Sequence, residues 1–304
     1  MTDPVIPLVQ RELANNNILF LVGPSAVGKS AVAVEAAGLC NGEVVSCDAM
    51  QVYREINIAS DKPSPRMRAG VAHHLLDIVS VEEDFNAAKY RALAVVAIDN
   101  ILKRGRKAIV CGGSGMYMAA ILDGLFESVA LPDGLREDLL ERVKAGGLGA
   151  MYQRLCDVDP DAAGKINPND QLRIVRALEV FEATGIPISK LQKTRDGLWG
   201  KQPIAVIGLG RPRDVMYARA EARIEGMFAS GLIEEVRGLM GMKLSLSASR
   251  LIGIPEVKGF INGDHSLDRA KELMKQNTRH YIKRQMTWFR KDQRIQWKSL
   301  GSEA

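Results

Sequence analysis

The chain has 304 residues, 46% hydrophobic and 25% charged, which is ordinary for one or two globular domains and excludes a disordered chain. A formal net charge of +5 is compatible with an anionic partner. The four cysteines lack zinc-site spacing, no apolar run is long enough to cross a bilayer, and residues 1–17 lack signal-peptide features, so we predict a cytoplasmic enzyme that does not bind membranes.

The first predicted elements are a strand, a glycine-rich loop and a helix. Residues 18–22 form an apolar run, residues 23–30 have the spacing of a phosphate-binding loop, and residues 28–39 have a helical pattern. In such a loop the glycines let the backbone approach an anion, and the N–H groups that open the helix point at it. Lys29 adds a charge, and Ser30 offers a hydroxyl to a magnesium ion. The pattern predicts binding of a phosphate or pyrophosphate and leaves open which.

A second strand is predicted over residues 43–46, after an Asn-Gly turn. Strand–helix–strand crossovers imply a parallel sheet, and ligands of such sheets bind beyond the carboxyl ends of the strands. Asp48 follows the second strand at that edge and is therefore predicted to lie near the phosphate loop. Aspartate is also a preferred helix N-cap, so position alone leaves both a functional and a capping role open.

Two further strands are predicted before residue 112. Residues 75–79, after His73-His74, favour an extended strand, on which adjacent histidines point to opposite faces and do not easily bind one metal. A helical pattern over 85–104 leads to a buried strand over 107–111 and a glycine-rich turn. No aspartate ends that strand, where motor and switch NTPases hold magnesium with one. The pattern therefore favours a transferase or a small-molecule kinase over a mechanical ATPase.

Helical patterns dominate residues 116–200, where the strand signal fades. We predict an α/β fold with a P-loop NTPase-like parallel sheet core flanked by helices. The core is assigned to residues 1–115 and 201–304, and residues 116–200 are assigned to an inserted all-helical domain. Arg173 and Arg176 are three apart on one predicted helix and are either a solvated basic face or part of a binding surface.

The second part of the predicted core begins with a strand over 203–209. Helices follow over 214–230 and 232–240, and a long helix is predicted over 267–290. From residue 278 to residue 300 the chain carries seven Lys or Arg residues and one Asp, with aromatic residues between them. This mixture suits a phosphate backbone with exposed bases, although an aromatic core stripe with a solvated basic back gives the same pattern.

Four stretches together resemble the tRNA dimethylallyltransferase (tRNA isopentenyltransferase) family, from about residue 18 to about residue 297. They are residues 23–30, 48–53, 112–117 and 278–290, and the internal segments 167–170 and 176–180 fit as well. The resemblance implies transfer of a dimethylallyl group from dimethylallyl pyrophosphate to the exocyclic amine (N6) of the adenine adjacent to the anticodon in tRNA, releasing pyrophosphate. It implies tRNA and dimethylallyl pyrophosphate as partners, Mg²⁺ as cofactor and a monomer as the expected state.

The resemblance also implies roles for individual residues. The donor pyrophosphate, not ATP, would be held by Gly23, Pro24, Ser25, Ala26, Val27, Gly28, Lys29 and Ser30, with Ser30 also on the metal. Asp48 matches the general base and Arg219 matches an arginine on the pyrophosphate. The positions that match tRNA contacts are Asp48, Ala49, Met50, Gln51, Ser114, Arg136, Gln171, Leu172, Arg173, Ile174, Val175 and Arg176. The helical insertion matches the part that grips the anticodon stem-loop.

The sequence departs from the family pattern in one three-residue segment and at two single positions. Residues 59–61 are Ala-Ser-Asp where the family usually has Gly-Thr-Ala, Ser114 replaces a threonine, and Gln171 stands where proline is frequent.

Two other classes of protein also fit the phosphate loop. A nucleoside kinase does not explain the basic tail or the insertion, and an RNA-binding GTPase-like module would need a guanine-reading motif, which we do not find.

Overall fold

The computed structural model describes residues 5–126 and 131–301 and is built around one parallel sheet. The strands are, in chain order, β1 (Ile18–Val22), β2 (Gly42–Ser46), β3 (His73–His74), β4 (Lys107–Gly112), β5 (Ile204–Gly210) and β6 (Gln296–Ser299). They lie in the order β3-β2-β4-β1-β5-β6, and each neighbouring pair is parallel. The predicted α/β architecture is thereby confirmed.

Helices flank this sheet and form most of the remaining structure. They are α1 (Ile6–Asn15), α2 (Lys29–Leu39), α3 (Pro65–Arg68), α4 (Ala87–Lys103), α5 (Gly115–Leu122), α6 (Leu135–Val158), α7 (Pro160–Ala163), α8 (Gln171–Thr184), α9 (Ile188–Leu191), α10 (Arg213–Ala229), α11 (Leu232–Leu239), α12 (Leu246–Ser249), α13 (Ile254–Ile261) and α14 (Leu267–Phe289). In the described ranges, no helix is both long and apolar enough to cross a membrane.

The chain divides into two compact units. The core unit comprises the described residues of Met1–Leu122 and Trp199–Ala304, and the helical unit comprises those of Asp123–Leu198. The predicted insertion begins at residue 116, whereas α5 belongs to the core unit as far as residue 122. The reason is apolar packing: the Tyr117 ring of α5 stacks on the Tyr90 ring of α4 with centroids 3.9 Å apart.

Strand β1 is the centre of the sheet because its apolar run is covered on both faces. All five of its residues are fully buried, and it pairs with β4 on one side and β5 on the other. Leu19 and Leu21 pack with α1 and α2 in one apolar cluster. A strand buried on both faces has apolar residues at consecutive positions, as in residues 18–22. The phosphate loop therefore leaves from a rigid strand.

The prediction of a strand over residues 75–79 is wrong. The ordered strand at that edge is β3, the His73-His74 pair itself. Leu75 and Asp77 have φ angles of 63° and 58°, in the left-handed region, which is incompatible with an extended strand. Both histidine rings make hydrogen bonds, so both act as scaffold residues.

Two elements at the ends of the chain are absent from the sequence-based prediction. Helix α1 lies in the range interpreted as a polar leader and buries Ile6, Val9 and Leu13. Strand β6 pairs with residues 207–210 of β5 at the sheet edge and is largely exposed, so it has no apolar pattern. Short edge strands are defined by their backbone pairing more than by their side chains.

The helical unit has its own apolar core. Leu139 and Leu155 of α6 and Leu178 of α8 are fully buried within it. Gly147 has a φ of 81° and a ψ of 157° inside α6, which breaks the helix at the Gly146-Gly147 pair. The two segments of α6 and helix α8 thus pack as a small bundle of their own.

Candidate active site

A cavity of about 770 Å³ lies in the core unit where three parallel strands end. Its walls include Lys29 after β1, Asp48 after β2 and Gly112 at the end of β4. Arg219 of α10 also lines it. The carboxyl ends of parallel strands are where such sheets bind ligands. The structure brings the phosphate loop, Asp48 and Arg219 together in this one cavity.

Glycine is required at two turns of the phosphate loop. Gly23 has a φ of 148°, and a Cβ there would lie 2.5 Å from the carbonyl oxygen of Leu209. Gly28 has a φ of 106° and immediately precedes the first residue of α2. Both conformations disfavour residues with a side chain. As a result, the loop wraps back toward β5, and the first N–H groups of α2 open at the cavity.

Lys29 lies against its own loop. Its Nζ donates a hydrogen bond to the carbonyl oxygen of Pro24 at 2.8 Å. Burial lowers the pKa of Lys29, and the neighbouring Cys111 and Asp48 oppose that shift. An anion in the cavity would favour the charged ammonium group and compete with this internal hydrogen bond. Lys29 is thus placed to respond to a bound phosphate.

Two arginines hold the loop from α10 and the segment before it. Arg219 Nε donates to the carbonyl oxygen of Ala26 at 3.0 Å, and Arg211 Nε donates to that of Val27 at 3.1 Å. Arg223, one turn after Arg219, pairs with Asp61 at 2.8 Å and also lines the cavity. A positive wall therefore faces the loop, which suits an anionic ligand.

Asp48 lines the same cavity and does not cap a helix. Its Oδ1 accepts a hydrogen bond from the N–H of Met50 at 2.9 Å in the turn after β2. Burial raises the pKa of Asp48, while the hydrogen bond from Met50 and the charge of Lys29 oppose the shift. A carboxylate with a raised pKa in a cavity is a candidate for proton transfer.

The glycine-rich turn after β4 is pressed against the chain beside Asp48. A Cβ on Gly112 would lie 2.0 Å from the carbonyl oxygen of Cys47. That same oxygen accepts a hydrogen bond from the N–H of Ser114 at 3.1 Å. Ser114, a predicted tRNA contact, is partly exposed at this turn. Glycine at position 112 therefore lets β2 and β4 deliver their ends side by side.

Replacing Gly112 by alanine is expected to destabilise the protein by about 1–3 kcal/mol, because the added methyl group clashes with a backbone that cannot move freely. The loss is measurable by urea denaturation. Gly238 in α11 has open space around its Cβ position, so Gly238→Ala serves as the matched control and is expected to retain stability. Equal stability of the two variants would show that the close approach at Gly112 is absent.

The divergent segment 59–61 forms part of the cavity wall. Glu235 of α11 accepts hydrogen bonds from three consecutive N–H groups, those of residues 57, 58 and 59, at 2.8–2.9 Å. Asp61 has a φ of 51°, and its carbonyl oxygen accepts from Gln51 Nε2 at 3.2 Å. The segment is therefore fixed both to α11 and to the turn that carries Asp48.

The remaining predicted tRNA contacts lie in the helical unit. Glu179 is fully buried and pairs with Arg136 at 2.9 Å and with Arg176 at 3.2 Å, so one carboxylate holds both arginines. In segment 171–176, Ile174 and Val175 are fully buried in the unit's core. Their side chains serve packing, which leaves the exposed residues of the segment, Gln171, Leu172 and Arg173, to face a partner.

Comparison with known families agrees with this geometry. A family model described as IPP transferase matches residues 51–292. The chain belongs to the IPP transferase family. A relative named tRNA dimethylallyltransferase, from Geobacter sulfurreducens, is 43% identical to this IPP transferase over 286 residues, covering 93% of this chain and 92% of the relative.

Solved structures show the same family resemblance. The full-length tRNA isopentenylpyrophosphate transferase from Bacillus halodurans superposes with a TM-score of 0.70 at 34% identity, over 95% of this chain and 91% of that one. A eukaryotic dimethylallyltransferase acting on tRNA gives a TM-score of 0.80 at 25% identity, over 94% of this chain and 74% of that one. The IPP transferase fold thus extends over nearly the whole chain.

The sequence-based prediction omitted several cavity residues of this IPP transferase. Thr278, Tyr281 and Arg284 of α14 line the cavity, although the helix was predicted only as a basic, aromatic segment. One signal was available: Thr278 and Gln285 are polar but lie at the helical spacing of the buried residues of α14. Polar residues on a buried face need hydrogen-bond partners and so mark a site.

Proposed function

We propose that this IPP transferase moves a dimethylallyl group from dimethylallyl pyrophosphate to N6 of the adenine adjacent to the anticodon in tRNA. The observation that carries the proposal is the shared cavity, which residues of the phosphate loop and Asp48 both line. The relatives support it, because proteins named tRNA dimethylallyltransferase match nearly the whole length of this chain. We further propose that the enzyme acts in the cytoplasm as a monomer.

The positive wall of the cavity suits the leaving group. When the allylic C–O bond breaks, its electron pair leaves with the diphosphate, and negative charge grows there in the transition state. Groups already aimed at that charge lower the barrier most. Lys29 and Arg219 line the cavity and α2 begins at Lys29, which supports this role for the two side chains and the first N–H groups of α2.

The apolar part of the cavity suits the isoprenoid group. Ile224, Met227, Leu251 and Met274 are among the residues that line the cavity. A five-carbon allylic group is apolar and is favoured by such surroundings. These apolar side chains support an isoprenoid diphosphate as the donor.

Asp48 is assigned the proton of the accepting amine. A neutral adenine amine is a weak acid, so Asp48 does not remove its proton first. Instead N6 gives its lone pair to the allylic carbon, the nitrogen becomes acidic, and its proton passes to the Asp48 carboxylate. The products are N6-dimethylallyl adenine, diphosphate and protonated Asp48, which balances atoms and charge.

A magnesium ion is proposed to bind with the diphosphate. Ser30 lines the cavity and offers a hydroxyl oxygen, the kind of ligand that Mg²⁺ prefers. The described residues contain no group of three or more His, Cys, Asp or Glu side chains that could hold a metal. The fit is therefore to an ion that takes most of its ligands from phosphate oxygens and water. When bound, it would neutralise charge on the leaving diphosphate.

The rate of transfer at saturating substrates is expected to fall in acid at a pH above the ordinary pKa of aspartate, 3.8. Burial raises the pKa of Asp48, so its carboxyl group takes up a proton, and stops acting as a base, at a higher pH than usual. A pH profile of kcat measures this. A rate that stays constant down to the ordinary range of aspartate would contradict it.

Binding of tRNA is expected to weaken steeply as salt rises, by at least about tenfold between about 50 and about 200 mM, because contacts to phosphates release counterions. Exposed Arg173 in the helical unit is a candidate for one such contact. Filter binding across a salt series gives the slope, and Arg173→Gln is expected to make it shallower by about one. Affinity that does not change with salt would contradict a backbone-contacting surface.

The function itself is tested by mass analysis of tRNA. Wild-type protein, an anticodon stem-loop with adenine beside the anticodon, dimethylallyl pyrophosphate and magnesium are incubated, and the nucleosides are analysed. The expected result is one adenosine heavier by one dimethylallyl group. A stem-loop with guanosine at that position is the control. Unmodified RNA, or phosphate transfer from ATP to a nucleoside, would overturn the proposal.

A further inference from the structure

A buried amide connects the two sides of the cavity. Gln285 of α14 has only 5% of its surface exposed. Its Oε1 accepts a hydrogen bond from the N–H of Ser25 in the phosphate loop at 2.9 Å, and its Nε2 donates to the carbonyl oxygen of Gly113 at 2.9 Å. One side chain therefore joins the loop after β1 to the turn after β4.

The contact leaves no room for adjustment. A Cβ on Gly113 would lie 2.3 Å from Gln285 Nε2, so the amide reaches the backbone only because residue 113 is glycine. A similar close approach occurs one turn later in α14, where the Trp288 ring lies where a Cβ of Gly115 would be, at 2.1 Å. Helix α14 thus presses directly on the glycine-rich turn.

Each end of this bridge adjoins a group of the proposed reaction. Ser25 directly precedes Ala26, whose carbonyl oxygen is held by Arg219. Gly113 directly precedes Ser114, whose N–H holds the carbonyl oxygen of Cys47. Cys47 is the residue before Asp48. The amide therefore fixes the loop that would hold the diphosphate relative to the chain that carries the base.

Glutamine suits this position because its amide donates and accepts at the same time. A carboxylate would accept from Ser25 but repel the Gly113 carbonyl oxygen, and an apolar side chain would leave both backbone groups without their partner. The site therefore requires an acceptor at Oε1 and a donor at Nε2.

We propose that Gln285 is a positioning residue that sets the distance between the diphosphate loop and Asp48. The inference rests on the proposed function for its effect on rate, but the bridge itself is independent of it. Transfer between two bound substrates is sensitive to the distance between reacting groups, and a misplacement of about 1 Å can cost on the order of a hundredfold in rate.

Three variants test the bridge. Gln285→Met keeps the length of the side chain and removes both hydrogen bonds, and Gln285→Glu keeps only the bond from Ser25. Gln276→Met is the matched control, because Gln276 is exposed on the same helix. The measurements are single-turnover transfer at saturating substrates, KM for donor and tRNA, and amide hydrogen exchange of residues 23–30 and 112–117.

The expected result is a loss of transfer rate of about tenfold to a hundredfold in Gln285→Met, a smaller loss in Gln285→Glu, and wild-type behaviour in the control. KM values are expected to change less than kcat, and exchange to rise in both segments of Gln285→Met. A merely structural role would lower melting temperature, binding and rate together, and that outcome would overturn the proposal.

Two other results would also overturn it. Unchanged exchange in both Gln285 variants would show that the bridge does not hold the loop, and faster exchange with a wild-type transfer rate would show that the spacing does not matter. If Gln285→Met does not fold, the transfer rate and amide exchange of Gln285→Glu, compared with those of Gln276→Met, test the proposal in its place. A wild-type enzyme that does not transfer from dimethylallyl pyrophosphate would refute the proposed function alone, since exchange still decides the bridge.

Discussion

Replacing Asp48 by alanine or asparagine is expected to slow dimethylallyl transfer by about a hundredfold or more, while the affinity for tRNA changes little. The carboxylate lies in the cavity at the carboxyl end of β2, and its nearest fixed partner is the N–H of Met50. Asparagine can still accept that hydrogen bond, so the turn keeps its shape. Under the proposed mechanism, the substitution removes the group that accepts the N6 proton as the N–C bond forms.

Single-turnover kinetics at saturating donor and RNA measure this loss, and filter binding measures the affinity. Asp99 of α4 provides the control. Asp99→Asn also removes one negative charge, but from an exposed side chain that does not line the cavity. The expected contrast is a slow Asp48 variant and a normal Asp99 variant. Turnover near the wild-type rate in Asp48→Asn would remove Asp48 from the mechanism.

Replacing Lys29 by methionine is expected to lower kcat/KM for the donor by about a hundredfold to a thousandfold. Methionine keeps much of the apolar stem and removes the positive charge that we propose faces the departing diphosphate. Lys29 now bonds to the carbonyl oxygen of Pro24, and a bound diphosphate would draw the ammonium group from it. Because charge grows on the diphosphate in the transition state, kcat is expected to fall together with donor affinity.

The control for this variant is Lys103→Met, since Lys103 is 71% exposed at the end of α4. Affinity for tRNA is expected to remain at the wild-type level in both variants. A Lys29→Met enzyme with normal kcat and normal donor KM would show that the loop does not bind the diphosphate.

The centre of the fold was predictable because its signals are local. The apolar run of β1, the loop spacing and the helical pattern of α2 are all contained in residues 18–39. The rule that parallel strands deliver ligand-binding residues at one edge then places Asp48 beside the loop. Nothing in this inference needs knowledge of distant contacts.

The edges of the fold were harder to predict because their structure depends on tertiary pairing. Strand β6 is short, polar and exposed and exists through its hydrogen bonds to β5. No strand forms over residues 75–79, because Leu75 and Asp77 have positive φ angles. The apolar pattern of the sequence does not reveal these backbone angles. Helix α1 did have a signal, since Ile6, Val9 and Leu13 recur at helical spacing.

Contacts that shape the cavity join segments far apart in the chain. Glu235 holds the backbone of residues 57–59, Asp61 pairs with Arg223, and Gln285 joins Ser25 to Gly113. Residue type alone does not reveal such partners. A buried glutamine on a mostly apolar helix face signals that a partner exists, but the fold is needed to identify it.

The central claim is that residues 23–30 bind the diphosphate of an isoprenoid rather than a nucleoside triphosphate. Calorimetric titration of the wild-type protein with dimethylallyl pyrophosphate and with ATP, each with magnesium, tests it most directly. We predict that dimethylallyl pyrophosphate binds, that Lys29→Met weakens this binding, and that ATP does not displace it. Tight ATP binding that depends on Lys29 and excludes dimethylallyl pyrophosphate would contradict the account.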